Sequence, residues 1–413
     1  MLYLTQDGIT DFIGQAQIAP YVLGLARKGH EIHVISAEKT GREALKVRYQ
    51  ATFAEAGVRW SFVPYANRPP LVSSVWVLWR MYRLAIKVAQ VERPAIIHCR
   101  SYLPFELGVR LKRRFGARLL LDFRDFWPDL RLETSRFKLV YRGLKRREPT
   151  YFGAADHVVT LTERGADVLH GRYPGALHGR RDGYTVIPCC ADFDLFDPGR
   201  VDRRAVERHR RELGLEPGQR ILVYLGSLGP DYLLREMLIL FRQLLEIDPS
   251  AKFVFVSNNA ADAVAREREV VGIPAEAVRF VSVERAQVPE YIALADLSVI
   301  FVRRTPAKAG GSPTKLAELF ALNVPVIANA GVGDLDAIID FERNGSVVIE
   351  DFEPATLRAA LERVLSHSRS AARSIRDSSR EFSLDEGVNR YNRVYEKLSP
   401  SSVEDGSGLR VAC

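Results

Sequence analysis

Short apolar runs recur along this chain with longer, helix-periodic stretches between most of them. The runs Leu2–Thr5, Glu31–Ser36, Val58–Val63, Ala95–Cys99, Arg118–Phe123, His157–Leu161 and Tyr184–Ile187 predict β-strands. Ile18, Tyr21, Val22 and Leu25 stand at i, i+3, i+4 and i+7, one face of a helix. Pro20 is tolerated in its first turn, and Gly29 follows its Arg27-Lys28 end as a cap. The pattern breaks into turn residues over Ile187–Pro198 and resumes at Ile221–Leu225. Strands over Phe253–Ser257, Val278–Val283, Leu297–Val302 and Val324–Ala328 follow, with helices over Asp231–Ile247, Pro289–Ala295 and Pro313–Leu322. Apolar strands alternating with helices imply parallel sheets covered on both faces. The expectation is two α/β halves joined near residue 190.

Composition fits that picture. At about 100–200 residues per domain, 413 residues suggest two domains, and 47% hydrophobic with 27% charged residues is ordinary for a globular chain. Lys+Arg 59 against Asp+Glu 51 leaves +8, which suits anionic partners without choosing among them. Cys99, Cys189, Cys190 and Cys413 show no CxxC spacing, so a structural zinc site and a disulfide framework are not expected. Arg80, Arg83 and Lys87 interrupt the apolar run Leu71–Ala89, which reads as membrane-surface at most rather than membrane-spanning. Met1–Thr5 reads as a strand rather than a secretory signal, and the polar run 400–413 as a disordered tail.

The chain has no GxxxxGK[ST] loop, and Gly226–Gly229 and Gly331–Gly333 are only fragments of a dinucleotide fingerprint. The strongest positive signal is Gly310-Gly311-Ser312-Pro313-Thr314-Lys315-Leu316-Ala317-Glu318. Ser312 is a candidate N-cap and Pro313 fits the first helical position. Lys315 then falls in the first turn, where a cation opposes the helix dipole. A Gly-Gly approach, free first-turn N–H groups and a misplaced lysine together describe a phosphate or diphosphate site. Glu318, one turn on, is placed to accept from ribose hydroxyls. The same residues also fit an ordinary capped helix. A second glycine-bearing loop ends at Gly14-Gln15 after the first strand, and ligands of open α/β sheets bind beyond the carboxyl ends of strands; taken by themselves, Gly8 and Gly14 only shape a turn. His98, Arg124 and Asp125, with Asp122, stand at the ends of two further strands; a local ion cluster beside a core histidine is the plainer reading.

The order of motifs resembles the family 4 retaining glycosyltransferases. Asp7-Gly-Ile-Thr-Asp-Phe-Ile-Gly14 followed by Gly29-His-Glu-Ile-His-Val34 looks like their opening loop, helix and second strand. Ala95-Ile-Ile-His-Cys-Arg100, Ala155-Asp-His-Val-Val-Thr-Leu-Thr162, Val186-Ile-Pro-Cys-Cys-Ala-Asp192 and Ser312–Ala328 are similar to later segments, and the likeness runs to about residue 398. It implies a GT-B fold: two Rossmann-like domains with parallel sheets facing across a cleft. An acceptor-binding domain would span 1–188 and a donor-binding domain 189–380, with a helix at 381–399 packing back on the first. It also implies a nucleoside-diphosphate sugar donor, no cofactor and no bound metal. On that resemblance Gly14, Gln15, Lys308, Gly311, Ser312, Thr314 and Lys315 hold the donor, Glu318 its ribose, and His98, Arg124 and Asp125 line the reacting centre. Three positions depart from the pattern. The first of the family's paired glutamates is Gly310, the usual basic diphosphate grip aligns with Gly226–Tyr232, and the histidine-bearing segment reads Asp122-Phe-Arg-Asp125.

The basic–aromatic stretches Leu71–Lys87 and Arg136–Arg147 suit peripheral contact with an anionic membrane and a sugar or lipid-linked acceptor. They equally suit a helix with a buried Trp/Leu stripe and a solvated basic face. No nucleic-acid partner is expected. The overall expectation is a cytoplasmic glycosyltransferase, working at the inner face of the cell membrane, that acts on a polysaccharide or glycolipid. A catalytically degenerate GT-B binding or scaffold protein, and a nucleotide-sugar epimerase, stay open as alternatives.

Overall fold

The computed structural model describes residues 1–366 and 374–399, and the run 400–413 lies outside them. Among the described residues, thirteen strands form two sheets. The first has β1 (Leu2–Thr5), β2 (His33–Glu38), β3 (Arg59–Pro64), β4 (Ile96–Arg100), β5 (Arg118–Asp122), β6 (His157–Thr160) and β7 (Tyr184–Val186), in the order β3-β2-β1-β4-β5-β6-β7. The second has β8 (Ile221–Leu225), β9 (Lys252–Val256), β10 (Val278–Val281), β11 (Leu297–Ile300), β12 (Val326–Asn329) and β13 (Val347–Ile349), in the order β10-β9-β8-β11-β12-β13. Every pairing in both sheets is parallel.

Parallel strands are covered on both faces, and β1, β4 and β8 are accordingly buried at every residue. The expected strands fall within about two residues of those observed. The sequence led to no strand at Val347–Ile349, a three-residue edge with too few positions to show a period. Strand order reverses between β1 and β4 in the first sheet and between β8 and β11 in the second. Crevices for ligands open at such reversals, beyond the carboxyl ends of the strands. The loops after β1, β4, β8 and β11 are therefore where chemistry is expected.

The chain passes between the halves twice. It leaves the first half through Ile187–Ala191 and returns at Phe382–Leu384, where Ala191 N donates to Phe382 O (2.9 Å) and Leu384 N to Ala191 O (2.7 Å). Helix Leu384–Leu398 then lies against helix Ala19–Arg27 of the first half. The contact depends on two glycines: a Cβ at Gly24 would stand 2.5 Å from Val388 Cγ2, and one at Gly387 2.9 Å from Tyr21 Cε1.

A second contact joins the halves beside the cleft. Asp334 accepts from Glu163 N (2.6 Å) and Arg164 N (3.1 Å), filling the N-terminus of helix Glu163–Arg172 from across the gap. Thr162 Oγ1 caps that helix and donates to Ala309 O (2.8 Å). A carboxylate at a helix N-terminus satisfies donors the helix cannot satisfy itself.

Candidate active site

The loop after β1 is held by one buried carboxylate. Glu38, at the end of β2, is 2% exposed and accepts from Ile9 N (2.6 Å), Thr10 N (3.2 Å), Thr10 Oγ1 (2.7 Å) and Ser36 Oγ (2.6 Å). Helix Phe12–Gln17 starts directly after this loop, six residues earlier than Ile18. Gly14 thus sits inside a helix, where a Cβ would come within 2.0 Å of Gly8 O. It serves close packing, and neither Gly14 nor Gln15 lines the two cleft cavities described below; Gln15 Nε2 instead donates to Thr10 O (3.0 Å). Phe12, Ile13 and Gln17 of the same helix face the cleft. Glu38→Ala would leave two loop N–H groups unsatisfied in a buried setting, so a loss of about 2–4 kcal/mol is expected. Chemical denaturation of the variant beside the wild type measures it.

Between the halves lies a cavity of about 530 Å³, walled by Ile13 and Gln17 on one side and by Gly226, Thr314, Lys315 and Glu318 on the other. Helix Thr314–Ala321 begins with Pro313 at its cap position and no side-chain cap. Ser312, expected to be that cap, instead accepts from Cys189 N (3.2 Å), because the connection between the halves passes beside it. The first-turn N–H groups are left without the expected hydroxyl.

Lys315 is 7% exposed, and its Nζ has no hydrogen-bond partner among the described residues. The amine stands 4.0 Å from the ring centre of Tyr224 and 4.2 Å from that of Tyr232. Gly226 lets it in: a Cβ there would be 3.4 Å from Nζ, at a φ of +104°. Burial pushes the Lys315 pKa down to about 7, against the upward pull of Glu318. An ammonium wedged between two rings with no acceptor is a poor resting state and a ready partner for an anion. Glu318 is also occupied: Arg285 Nη1, lying over the Phe196 ring, donates to its Oε1 at 2.8 Å. Lys308 pairs with Asp231 Oδ2 (2.8 Å) and lines neither cavity described here; nor does Gly311, whose carbonyl packs against Gly333. Gly310 has no room for a side chain, since a Cβ would be 3.1 Å from Phe126 Cδ2.

A second cavity of about 360 Å³ adjoins the first and shares Ile13, Gln17 and Thr314 with it. Arg124 and Asp125 line it with Asp7, Arg100 and Cys189. The Gln17 side chain donates to Cys190 O (2.8 Å) and leaves its buried Oε1 unpartnered among the described residues. Arg124 Nη1 donates to Asp122 Oδ1 (3.2 Å), and its Nη2 lies 3.4 Å from Cys189 Sγ. Burial works against the Asp122 charge, but Arg124, His98 and Arg100 outweigh it and hold the carboxyl well below its usual range. Burial raises the pKa of Asp125, with Lys308 and Arg124 opposing.

His98 is not in this wall. It is 1% exposed, enclosed by Tyr3, Tyr391 and Tyr395, with Nδ1 2.7 Å from Tyr395 Oη and Nε2 3.5 Å from Asp122 Oδ2. Burial lowers its pKa, so the ring is neutral near pH 7. It thus backs the Asp122–Arg124 pair. The residue of β4 that reaches the cavity is Arg100, two positions on, paired with Asp7 at 3.5 Å and with Nε unpartnered among the described residues. Strand periodicity puts residues 98 and 100 on one face, so only the height along the strand separates them.

The glycosyltransferase family 4 model matches residues 21–195, and the glycosyl transferases group 1 model matches residues 205–381. No curated protein matches the chain in sequence. Among solved structures, a glycosyltransferase from Rickettsia africae is similar at 14% identity, with 97% of this chain and 98% of that one covered and a TM-score of 0.69. HepE of Anabaena, in complex with UDP and glucose, is 13% identical over 96% of this chain and 99% of its own, with a TM-score of 0.69. WaaG, a glycosyltransferase involved in lipopolysaccharide biosynthesis, is 14% identical over 95% and 98%, with a TM-score of 0.67. The two parallel sheets match the GT-B architecture of these structures.

Proposed function

This chain belongs to the glycosyltransferases of the family 4 and group 1 type, and from that premise we propose that it moves a sugar from a nucleoside-diphosphate donor to a polysaccharide or glycolipid acceptor. The carrying observation is the buried Lys315 amine, unpartnered among the described residues, in a cavity walled by both halves. The diphosphate takes that amine as partner, together with the N–H groups at the start of Thr314–Ala321. The ribose hydroxyls meet Glu318, already oriented by Arg285. The leaving diphosphate is stabilised by this side chain and helix end rather than by a metal, and the anomeric configuration is retained, with the acceptor hydroxyl approaching past Arg124 and Asp125. In this reading residues 1–188 hold the acceptor and 189–380 the donor.

Exposed Trp76 and Trp79 carry Arg80 and Arg83 over their rings at 4.7 and 5.0 Å, and Glu92 is the one acid in helix Val72–Glu92. The buried stripe of that helix is Ser73, Val77, Met81, Ala85 and Ala89, so its tryptophans face outward. A cationic, aromatic face of this kind suits an anionic membrane surface, and it supports a working position at the inner face of the cell membrane. Among the described residues no helix is long and apolar enough to cross a membrane.

A panel of UDP-, GDP- and dTDP-sugars tests the reading by thermal shift and by mass spectrometry of products. At least one donor is expected to raise the melting temperature and to be slowly hydrolysed without acceptor. No shift with any of them overturns the donor site. Binding without turnover points to a scaffold, which the side-chain-free Gly310 favours. An isomerised nucleotide-sugar points to an epimerase.

A further inference from the structure

Two large apolar side chains stand exposed in the wall of the 530 Å³ cavity, Phe12 at 51% and Ile13 at 53%. Both belong to helix Phe12–Gln17 of the first half, whose Phe12, Ile13, Ala16 and Gln17 share the face turned to the cleft. The roles given above to Lys315 and Glu318 leave both side chains without a task. The Phe12 ring is fixed from behind, with the Arg42 guanidinium over it at 5.7 Å from the ring centre. Arg42 is itself tied down: it donates to Thr10 O and stands 3.6 Å from Asp11 Oδ1, while Lys39 holds the same carboxylate at 3.0 Å. A ring backed by a cation and half exposed is a platform for a second flat π-system.

Position along the cavity decides which part of a nucleoside diphosphate meets that ring. Lys315 marks the diphosphate end, and Glu318 with Arg285 the ribose. Val283 and Val288 flank Arg285 in the chain and line the wall with Asn258, whose Oδ1 accepts from Ser282 Oγ (2.6 Å). Arg285 is near enough to the first half for its charge to act on Tyr49 of helix Glu43–Glu55. That helix begins directly after Arg42, the cation behind Phe12. Phe12 and Arg285 therefore lie on one side of the cavity, past the ribose.

We propose that Phe12, with Ile13 beside it, stacks on the nucleobase of the donor and so closes the first half over a substrate held by the second. This deepens the functional reading above and rests on it. Every base has a π-face, so an aromatic ring grips the base without choosing among bases. The wall that faces the ring is apolar at Val283 and Val288, which fits a flat heterocycle better than a second phosphate or a sugar. A base in this place also takes the exposed Phe12 and Ile13 surface out of water, which a diphosphate alone does not do.

The test compares the tightest bound of UDP, GDP and dTDP with inorganic pyrophosphate by titration calorimetry, on the full-length wild type, Phe12→Ala and Phe12→Trp. Phe12→Ala is expected to weaken the nucleotide about ten- to a hundredfold, the usual loss on removing a base-stacking ring, and to leave pyrophosphate unchanged. Unchanged pyrophosphate affinity also shows that the variant folds. Phe12→Trp is expected to keep nucleotide affinity, with its added indole emission quenched by the nucleotide and not by pyrophosphate. Equal nucleotide affinity in the wild type and Phe12→Ala overturns the stacking while leaving the donor site standing. An equal loss for nucleotide and pyrophosphate overturns it too, because the effect then does not pass through the base. A wild type that binds none of the three nucleotides sinks the donor reading itself.

Discussion

Lys315→Met is expected to make the empty protein more stable and at the same time to lose most of its affinity for nucleoside diphosphates. Burial brings the Lys315 pKa from 10.5 down to about 7. Between about pH 7 and 10 the unfolded chain therefore carries a proton at this position that the folded chain has released. The unfolded state binds more protons in that window, so stability rises with pH across it, and the full penalty is present below pH 7. The span corresponds to roughly 5 kcal/mol at 1.36 kcal/mol per unit, and the rings of Tyr224 and Tyr232 offset about 0.5–2 kcal/mol of it. Methionine keeps the length of the side chain without its charge. Its melting temperature is expected to exceed the wild type's at pH 6–7, with the advantage shrinking toward pH 9. Affinity for UDP is expected to fall about a hundredfold or more, the usual cost of removing one partner of an enclosed charge pair. In the wild type, affinity is expected to weaken as pH rises above 7, because the amine must then take up a proton as the diphosphate enters. Calorimetry in buffers of different ionisation enthalpy reads that proton directly. A Lys315→Met protein that binds UDP as the wild type does would remove Lys315 from the donor site.

The sequence made this lysine visible but not its surroundings. A cation in a first helical turn is locally unfavourable, and that mismatch pointed to an anion. Tyr224 and Tyr232 lie more than 80 residues away and are brought over the amine by the β8–β11 reversal, which apolar periodicity does not encode. The strands themselves were legible because parallel strands buried on both faces leave continuous apolar runs. Position within a strand was not. His98 drew attention as the titratable residue of β4, yet its ring is sealed by Tyr391 and Tyr395 from a helix almost 300 residues on. Arg100, at the strand's end, reaches the cavity. The opening loop shows the same limit. Gly14 looked like a phosphate-approach glycine when the helix was expected at Ile18, and became a packing glycine once the helix began at Phe12. Local signals find elements; which side chain arrives at the cleft depends on register and on segments remote in sequence.

That separation between His98 and the cleft leads to the second large effect, at Asp125. Of the three residues first assigned to the reacting centre, Arg124 and Asp125 line the cavity, and Arg124 is permanently charged and already paired with Asp122. Asp125 alone among them presents a carboxyl to the cavity with its pKa raised by burial. It is therefore the group suited to accept the proton of an acceptor hydroxyl, a role that needs the ionised form. Activity is expected to rise with pH through the pKa of Asp125, giving an acid limb in kcat/KM. Asp125→Asn is expected to lower kcat by about 10²–10⁴ and to abolish that limb, the range typical of losing a positioned base. Its thermal shift with UDP is expected to match the wild type, since Asp125 lies outside the 530 Å³ cavity. His98→Gln is the discriminating control. Acting only behind Asp122 and Arg124, it is expected to reduce kcat more mildly and to keep the acid limb. A limb that survives in Asp125→Asn and disappears in His98→Gln would return the proton transfer to the histidine and require the tyrosine shell around it to open during turnover.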